Sequence, residues 1–251
     1  MRRALIVVGK APEAGRTKTR LVPPLTAQQA AELYRAFLLD AIDLGLRVGG
    51  QRVSVVHPRG AAPALSRLVP PVVQLLEQPG HGLGDALAFA FERHLGAGFE
   101  RVVLIGSDNP TLPPEPLEEA FAALETHDLS IGPSADGGYY LIGLRQAHLS
   151  LFRGIDWSTP RVHAQTLARA RALNLREHTL AEWYDVDTPD DLERLRVELR
   201  STDDRLARHT RAVLTRTTLA GRAASGLDQT SPRMQPRSAR LPPGRIRAWP
   251  G

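Results

Sequence analysis

The chain has 251 residues, is 42% hydrophobic and contains no cysteine, which excludes disulfides and thiolate metal sites and leaves ample apolar material for one α/β domain. Its net charge of +5 comes from the end of the chain: residues 201–251 hold ten arginines against Asp203, Asp204 and Asp228, or +7, leaving −2 for residues 1–200. A nucleic-acid reading built on the total charge therefore fails for the body of the protein. No apolar run approaches the ~20 residues needed to cross a bilayer. Met1-Arg2-Arg3 and about five apolar residues are too short for a signal peptide, so a soluble cytoplasmic protein is expected.

Short β-rich runs alternate with helical patterns through residue 199. That predicts an α/β fold, a mostly parallel central sheet with helices on both faces. The first strand spans 4–8 (ALIVV) and leads into "GKAPEAGRTKTRL" (9–21), which holds the chain's only two lysines, Lys10 and Lys18, beside Arg16 and Arg20. Strand, Gly-rich basic loop and helix is an arrangement that binds phosphate in many α/β proteins. The spacing matches neither a P-loop nor G-x-G-x-x-G. Lysine point charges and arginine forks together suit a diphosphate; a solvated basic loop is the alternative. A helix over 27–47 follows, opened by a capping box of Thr26 and Gln29.

Strands over 52–57 and 72–76 come next, then "GHGLGDAL" (80–87) at the start of a helix over 82–96. Amides around Gly82 and Gly84 can approach a nucleotide, or the glycines only turn the chain. The strand at 101–106 ends in "LIGSDNPTLP". Asp108 there stands where open α/β sheets bind ligands and suits a metal-holding carboxylate, or it makes an Asx turn. After a helix over 114–125 and a weaker strand at 128–131, Asp136-Gly137-Gly138 turns into a strand at 139–144, as a hairpin turn or as a place where backbone meets ligand.

"GIDWSTPRV" puts Trp157 beside Ser158, to stack on a ring or to staple the helix over 160–174. "YDVDTPDDL" offers Asp185 and Asp187 ahead of a helix over 189–199, with Thr188 as N-cap and Pro189 in the first turn. Either aspartate caps that helix or ligates a hard cation. Beyond about residue 220 the Ser, Pro, Gly and Arg content predicts disorder, with 201–219 as helix extension or linker. The eight histidines form no metal or catalytic pattern; His57 and His81 alone stand near strand ends or Gly-rich turns and read as structural.

Taken in order, "GKAPEAGRTKTRL", "GHGLGDALAFAF", "LIGSDNPTLP", "GPSADGGYYLIGL", "DWSTPRVHAQTL" and "YDVDTPDDLERL" resemble a bacterial family of small GT-A-type glycosyltransferase-like proteins, the arsenosugar-biosynthesis-type group. That group is similar to 2-phospholactate guanylyltransferase and to the molybdenum-cofactor nucleotidyltransferases. The resemblance spans residues 4 to about 199 and the tail lies outside it. It implies one Rossmann-like nucleotide-diphospho-sugar transferase domain, placed at 1–200, with Mg²⁺ or Mn²⁺ as cofactor, while the composition of 201–251 marks that stretch as an Arg/Pro/Ser-rich, disordered tail.

By the same resemblance, Lys10, Arg16, Lys18 and Arg20, with Gly82 and Gly84, meet the nucleotide phosphates. Asp108 and Asp187, chosen over Asp185, hold the metal, and Asp108 and Asp136 are catalytic. Gly137, Gly138, Tyr139, Trp157 and Ser158 face the acceptor or donor sugar. The pattern departs from its relatives at Val8-Gly9, and at Asp85-Ala86, where no arginine follows the acid. The expected activity is glycosyl transfer from a nucleotide sugar to a small acceptor. Nucleotidyl transfer from a nucleoside triphosphate, with release of pyrophosphate, is the alternative, and a non-catalytic nucleotide-binding protein the reading from another class. An arginine-rich nucleic-acid arm is the least favoured, and oligomeric state is open.

Overall fold

The computed structural model describes residues 1–48, 50–80 and 82–227. Seven strands form one sheet in the order β3-β2-β1-β4-β6-β5-β7: β1 Arg3–Val8, β2 Arg52–His57, β3 Gln74–Glu77, β4 Arg101–Ile105, β5 Leu129–Pro133, β6 Tyr139–Leu144 and β7 Glu177–Thr179. Only β6 runs against its neighbours, pairing antiparallel with β4 and β5. The mostly parallel sheet read from the sequence is thus observed. β7 was not foreseen, being three residues long and without an apolar run.

Alternation along each strand sends side chains to both faces. Leu5 and Val7 join the cluster with Leu38, Ile42, Leu117 and Phe121, so α1 (Ala27–Val48) and α4 (Glu115–Ala123) cover one face. Ala4 and Ile6 join Leu87, Phe91, Phe152 and Ala170, so α3 (Leu83–Gly96) and α5 (Val162–Ala172) cover the other. A one-turn α2 (Ala62–Leu65) lies between β2 and β3. The Thr26 box forms as expected, with the Gln29 amide 3.2 Å from Thr26 Oγ1 and the Thr26 amide 2.8 Å from Gln29 Oε1. Helix α6 (Pro189–Ser201) opens on a similar box between Thr188 and Asp191. No helix among the described residues is long and apolar enough to cross a membrane.

The folded part runs past residue 200. The stretch expected as helix extension or linker, together with the first residues expected to be disordered, forms a separate helix, α7 (Arg208–Leu227). Val213 and Leu214 of α7 join Leu33, Phe37, Leu195 and Leu199 in a third core cluster outside the sheet. The reason is a distant partner: the buried carboxylate of Asp40 on α1 caps α7, accepting from the amides of His209 (3.0 Å) and Thr210 (2.9 Å) and from Thr210 Oγ1 (2.6 Å). Capping donors that would otherwise be orphaned stabilises such a start by ~1 kcal/mol. The expected disorder of residues 228–251, like His81, lies outside the described residues.

Candidate active site

Strands β1 and β4 are adjacent, yet the chain leaves them toward opposite edges of the sheet. Their carboxyl ends therefore form the crevice where doubly wound sheets bind ligands. A cavity of about 520 Å³ opens there, lined by Gly9 and Lys10 after β1, Pro58 after β2, Gln78 after β3, Gly82 and Leu83 at the start of α3, and Ser107 and Asp108 after β4. Tyr139, Ser158 and Asp185 close the remaining side. Its size suits a small organic ligand.

Two glycines let the chain approach so closely. A Cβ at Gly9 would stand 2.9 Å from Leu38 Cδ1, and one at Gly84 would stand 2.7 Å from Trp157 Nε1. Gly82 by contrast has open space where a Cβ would be, so backbone there is accessible to a ligand.

The charged heart of the site lies beside this cavity. Lys18, in the left-handed backbone region with φ 49°, extends its ammonium between two carboxylates, 2.7 Å from Asp108 Oδ1 and 2.8 Å from Asp187 Oδ1. Its side chain is only 5% exposed. Burial alone would lower the Lys18 pKa, but the two carboxylates outweigh it and hold the group above its ordinary value. Arg20 reaches the other oxygen of Asp187 at 2.6 Å. Burial would raise Asp187, and Lys18 and Arg20 instead hold it below the usual carboxylate range.

Asp185, one strand-step away, behaves oppositely. Burial, joined by the nearby charges of Asp108 and Asp136, pushes it up to about 6, against hydrogen bonds from Ser134 and Asn109 that favour the ionised form. Asn109 Nδ2 donates to Asp185 Oδ1 at 3.0 Å and to the Tyr184 carbonyl at 2.7 Å, and Ser134 Oγ donates to Asp185 Oδ2. The Val186 amide donates to the Asp108 carbonyl at 2.9 Å, locking the two aspartate-bearing loops together. Four carboxylates thus meet at one edge of the sheet, with Lys18 and Arg20 as their counter-charges.

Of the residues expected to bind phosphate, Lys10, Lys18, Arg20 and Gly82 converge on this region. Lys10 lines the cavity, and its backbone amide donates to Tyr34 Oη at 2.9 Å, which in turn lies 3.2 Å from Ser107 Oγ. Arg16 does not come in: it pairs with Glu13 at 3.1 Å and is 80% exposed. Gly84 lies behind the cavity wall against Trp157, because the indole fills the space a ligand would need. Trp157 itself packs edge-on against Tyr139, 6.4 Å between ring centroids.

Tyr139 and Ser158 line the cavity, Ser158 with φ 62°. Asp136 lines a neighbouring recess of about 280 Å³ together with Arg20, Asp185, Asp187 and Arg194. Gly137, with φ 86°, lies under the Pro160 carbonyl, which a Cβ would strike. The Gly138 amide donates to Asp136 Oδ1 at 2.9 Å and fixes the turn. Sequence reasoning weighed Asp185 and passed over it, and it missed Tyr34, Gln78, Asn109 and Ser134. For Asn109 the signal was present, since it sits beside Asp108 in the same motif.

Asp40, Asp43 and His209 also bring ligand-type atoms within 4.8 Å of one another. Their atoms are already engaged in holding the start of α7: Asp43 Oδ2 takes Arg208 Nε at 2.7 Å and His209 Nε2 at 3.1 Å. This cluster is a helix cap.

Residues 42–159 match the DUF2064 family, described as an uncharacterized protein conserved in bacteria. A 3-phospho-D-glycerate guanylyltransferase from Phenylobacterium zucineum is 34% identical over 167 residues, 61% of this chain and 69% of that protein. A phosphoenolpyruvate guanylyltransferase from Mycolicibacterium smegmatis is 36% identical over 116 residues, 45% of this chain and about half (51%) of that protein. A solved structure assigned as a nucleotide-diphospho-sugar transferase, from Desulfovibrio desulfuricans G20, superposes with a TM-score of 0.80 at 32% identity, covering 86% of this chain and 95% of that one. With the fold shared over nearly the whole of that structure and guanylyltransferases among its homologues, the chain belongs to the DUF2064 family and is a transferase built on the nucleotide-diphospho-sugar transferase fold.

Proposed function

We propose that the protein is a metal-dependent nucleotidyltransferase that moves a nucleoside monophosphate from a nucleoside triphosphate, with GTP the first candidate, onto the phosphate of a small phosphorylated acid. The observation that carries this reading is the convergence of Lys18, Asp108, Asp185 and Asp187 at the mouth of the switch-point cavity. Such a set neutralises a polyphosphate and holds a hard cation with one group of loops. The guanylyltransferase relatives favour this chemistry over the glycosyl transfer that membership of the arsenosugar-biosynthesis group would imply.

The cation is expected to be Mg²⁺ or Mn²⁺, held by Asp108 with Asp185 and Asp187. The residues fit it: their donor set is oxygen only, and the mutual repulsion of Asp108, Asp136 and Asp185 is what a divalent charge relieves. When bound, it supplies Lewis-acid stabilisation of the charge gathering on phosphate oxygens. Gln78, Gly82 and Leu83 line the cavity after β3 and at the start of α3 and accommodate the nucleoside, while Lys10, Lys18 and Arg20 face the phosphates.

An oxygen of the acceptor phosphate attacks the α-phosphorus, a new P–O bond forms, and the α–β P–O bond breaks with its electron pair leaving on pyrophosphate. The nucleophile is already an anion, so no side chain need remove a proton. Asp136, Gly137 and Gly138 shape the adjoining turn, and Tyr139 and Ser158 border the acceptor side. The chain's own contribution is orientation and charge neutralisation, worth about 3–4 kcal/mol for a single preorganised group.

Incubation with each nucleoside triphosphate and Mg²⁺, together with 3-phosphoglycerate, phosphoenolpyruvate or 2-phospholactate, tests the reading. Pyrophosphate release that depends on the acid is expected. Transfer from a nucleotide sugar without pyrophosphate would return glycosyl transfer to first place. Binding of nucleotide with no product from any pair would support the non-catalytic reading.

A further inference from the structure

The cation position of this site has an occupant of its own. Lys18 Nζ lies within 2.8 Å of one oxygen from each of Asp108 and Asp187, two of the carboxylates that would hold the cation. The ammonium is enclosed rather than solvated, 5% exposed, and 5.6 Å above the Phe37 ring. Its backbone is held in the left-handed region at φ 49°, uncommon for a residue with a side chain. The loop is thus built to aim this one lysine inward while Arg16 and Arg20 remain 80% and 68% exposed.

We propose that Lys18 is a built-in counter-ion that competes with the divalent cation, so that metal enters this site as a metal–nucleoside triphosphate complex rather than alone. This rests on the nucleotidyltransferase reading above and adds an order of binding to it. Two cations cannot share the pair of carboxylate oxygens at contact distance, since like charges a few ångströms apart in a partly dry site repel strongly. Withdrawing the ammonium leaves it buried without a partner, which is costly. A bare metal ion must meet that cost. A triphosphate arriving with its metal offers the departing ammonium new anionic oxygens on the cavity side, where Lys10 already stands.

Lysine suits this exchange better than arginine. Its ammonium is a compact charge on a long flexible stem that can move between two sets of acceptors, whereas a guanidinium fork holds one planar geometry. The chain otherwise uses arginine for every basic position outside this loop.

The two-lysine composition makes the test direct. Wild-type protein labelled with ¹⁵N at lysine gives two side-chain ammonium resonances, one for exposed Lys10 and one, slow to exchange with water, for enclosed Lys18. Millimolar Mg²⁺ alone is expected to leave the Lys18 resonance in place, and Mg²⁺ with α,β-methylene-GTP to shift it. In parallel, Lys18→Met is expected to bind Mn²⁺ alone about tenfold or more tightly than wild type by electron paramagnetic resonance, one decade being ~1.4 kcal/mol.

Displacement of Lys18 by Mg²⁺ alone, or a folded Lys18→Met chain that binds Mn²⁺ no more tightly, overturns the proposal. If Lys18→Met does not fold, the wild-type resonances decide. Tighter Mn²⁺ binding by Lys18→Met, with no response of the wild type to any nucleoside triphosphate, upholds the competition and fells the nucleotide reading instead.

Discussion

The two ends of the sheet make a useful contrast. At the amino ends of β1, β2 and β3 a cleft of about 620 Å³ is lined by Arg2, Arg52, Phe89, Arg93, His94 and Phe99. It is larger than the 520 Å³ cavity at the carboxyl ends. Yet its parts are at rest. Arg2 donates to the Ala97 carbonyl at 3.1 Å and lies over the Phe99 ring. His94 is buried, with Nδ1 2.8 Å from the Ala90 carbonyl and Nε2 2.9 Å from Ser54 Oγ.

At the carboxyl ends an enclosed ammonium is pressed between two half-buried carboxylates, and a third, Asp185, has its pKa pushed up to about 6. Volume locates a hollow. Opposed charges that the fold keeps from solvent locate chemistry, because such an arrangement costs stability and persists where it is used.

The largest expected break in this contrast is Asp108→Ala. It should lower turnover by a hundredfold or more, about 3–4 kcal/mol of transition-state stabilisation, while the melting temperature moves by a few degrees at most. A variant keeping a tenth of wild-type activity would remove Asp108 from the metal role. Gly137→Val comes next. With φ at 86° and the Pro160 backbone in the way of any Cβ, a loss of about 2–3 kcal/mol is expected in urea midpoints. Gly138→Ala, whose Cβ would meet the Asp136 carboxylate, with Oδ1 nearest at 3.1 Å, should cost visibly less.

Proton linkage separates the ends by sign. The Asp185 pKa is raised in the folded chain to about 6, so its contribution is complete below the unfolded value of about 3.9 and is lost as pH rises through about 6. Asp185→Asn should therefore melt higher than wild type at pH 7.5, by up to about 3 kcal/mol, with the gap closing toward pH 4.

For His94 the pKa is lowered, by burial first and then by the charges of Arg52 and Arg93 against the favouring bond to Ala90. Its contribution is complete above the unfolded value of about 6.5 and is lost as pH falls below it through the folded value. Stability curves of His94→Gln should flatten over that range, and an unchanged acid limb would show that other groups dominate it. The smallest effect is reserved for Arg52→Ser with Arg93→Ser. Activity within about twofold of wild type is expected, as for surface changes away from a site, and a larger loss would make the amino-end cleft a participant.

Much of this arrangement is legible in the residues. An apolar strand that stops at Gly106-Ser107-Asp108 announces a carboxylate at the crevice, and the isolated lysines mark the facing loop. The β-strand and helix boundaries fall within a few residues of expectation wherever a periodic apolar run sets them. What stays hidden depends on partners far along the chain. Asp185 and Asp187 look alike in "YDVDTPDDL", and only Ser134, Asn109, Lys18 and Arg20 give them opposite electrostatics. Helix α7 is too rich in arginine and threonine to read as folded until Asp40, about 170 residues earlier, supplies its cap. Gly84 and Trp157 resemble ligand contacts singly and prove to be each other's packing partner.

The reversal of β6 has a consequence for how this protein can be altered. Because β6 runs against β5, the segment 134–138 leaves one strand and enters its immediate neighbour at the catalytic edge, whereas the loops after β1, β3 and β4 each lead on to a helix. Both of its ends join the β5–β6 ladder, and the turn is tied further by the Ala135 amide to the Trp183 carbonyl and the His163 amide to the Gly137 carbonyl, each at 3.0 Å. A change of length there alters one hairpin connection and rethreads no crossover, provided that Ser134, which donates to Asp185, and Gly137, which lies under Pro160, are kept.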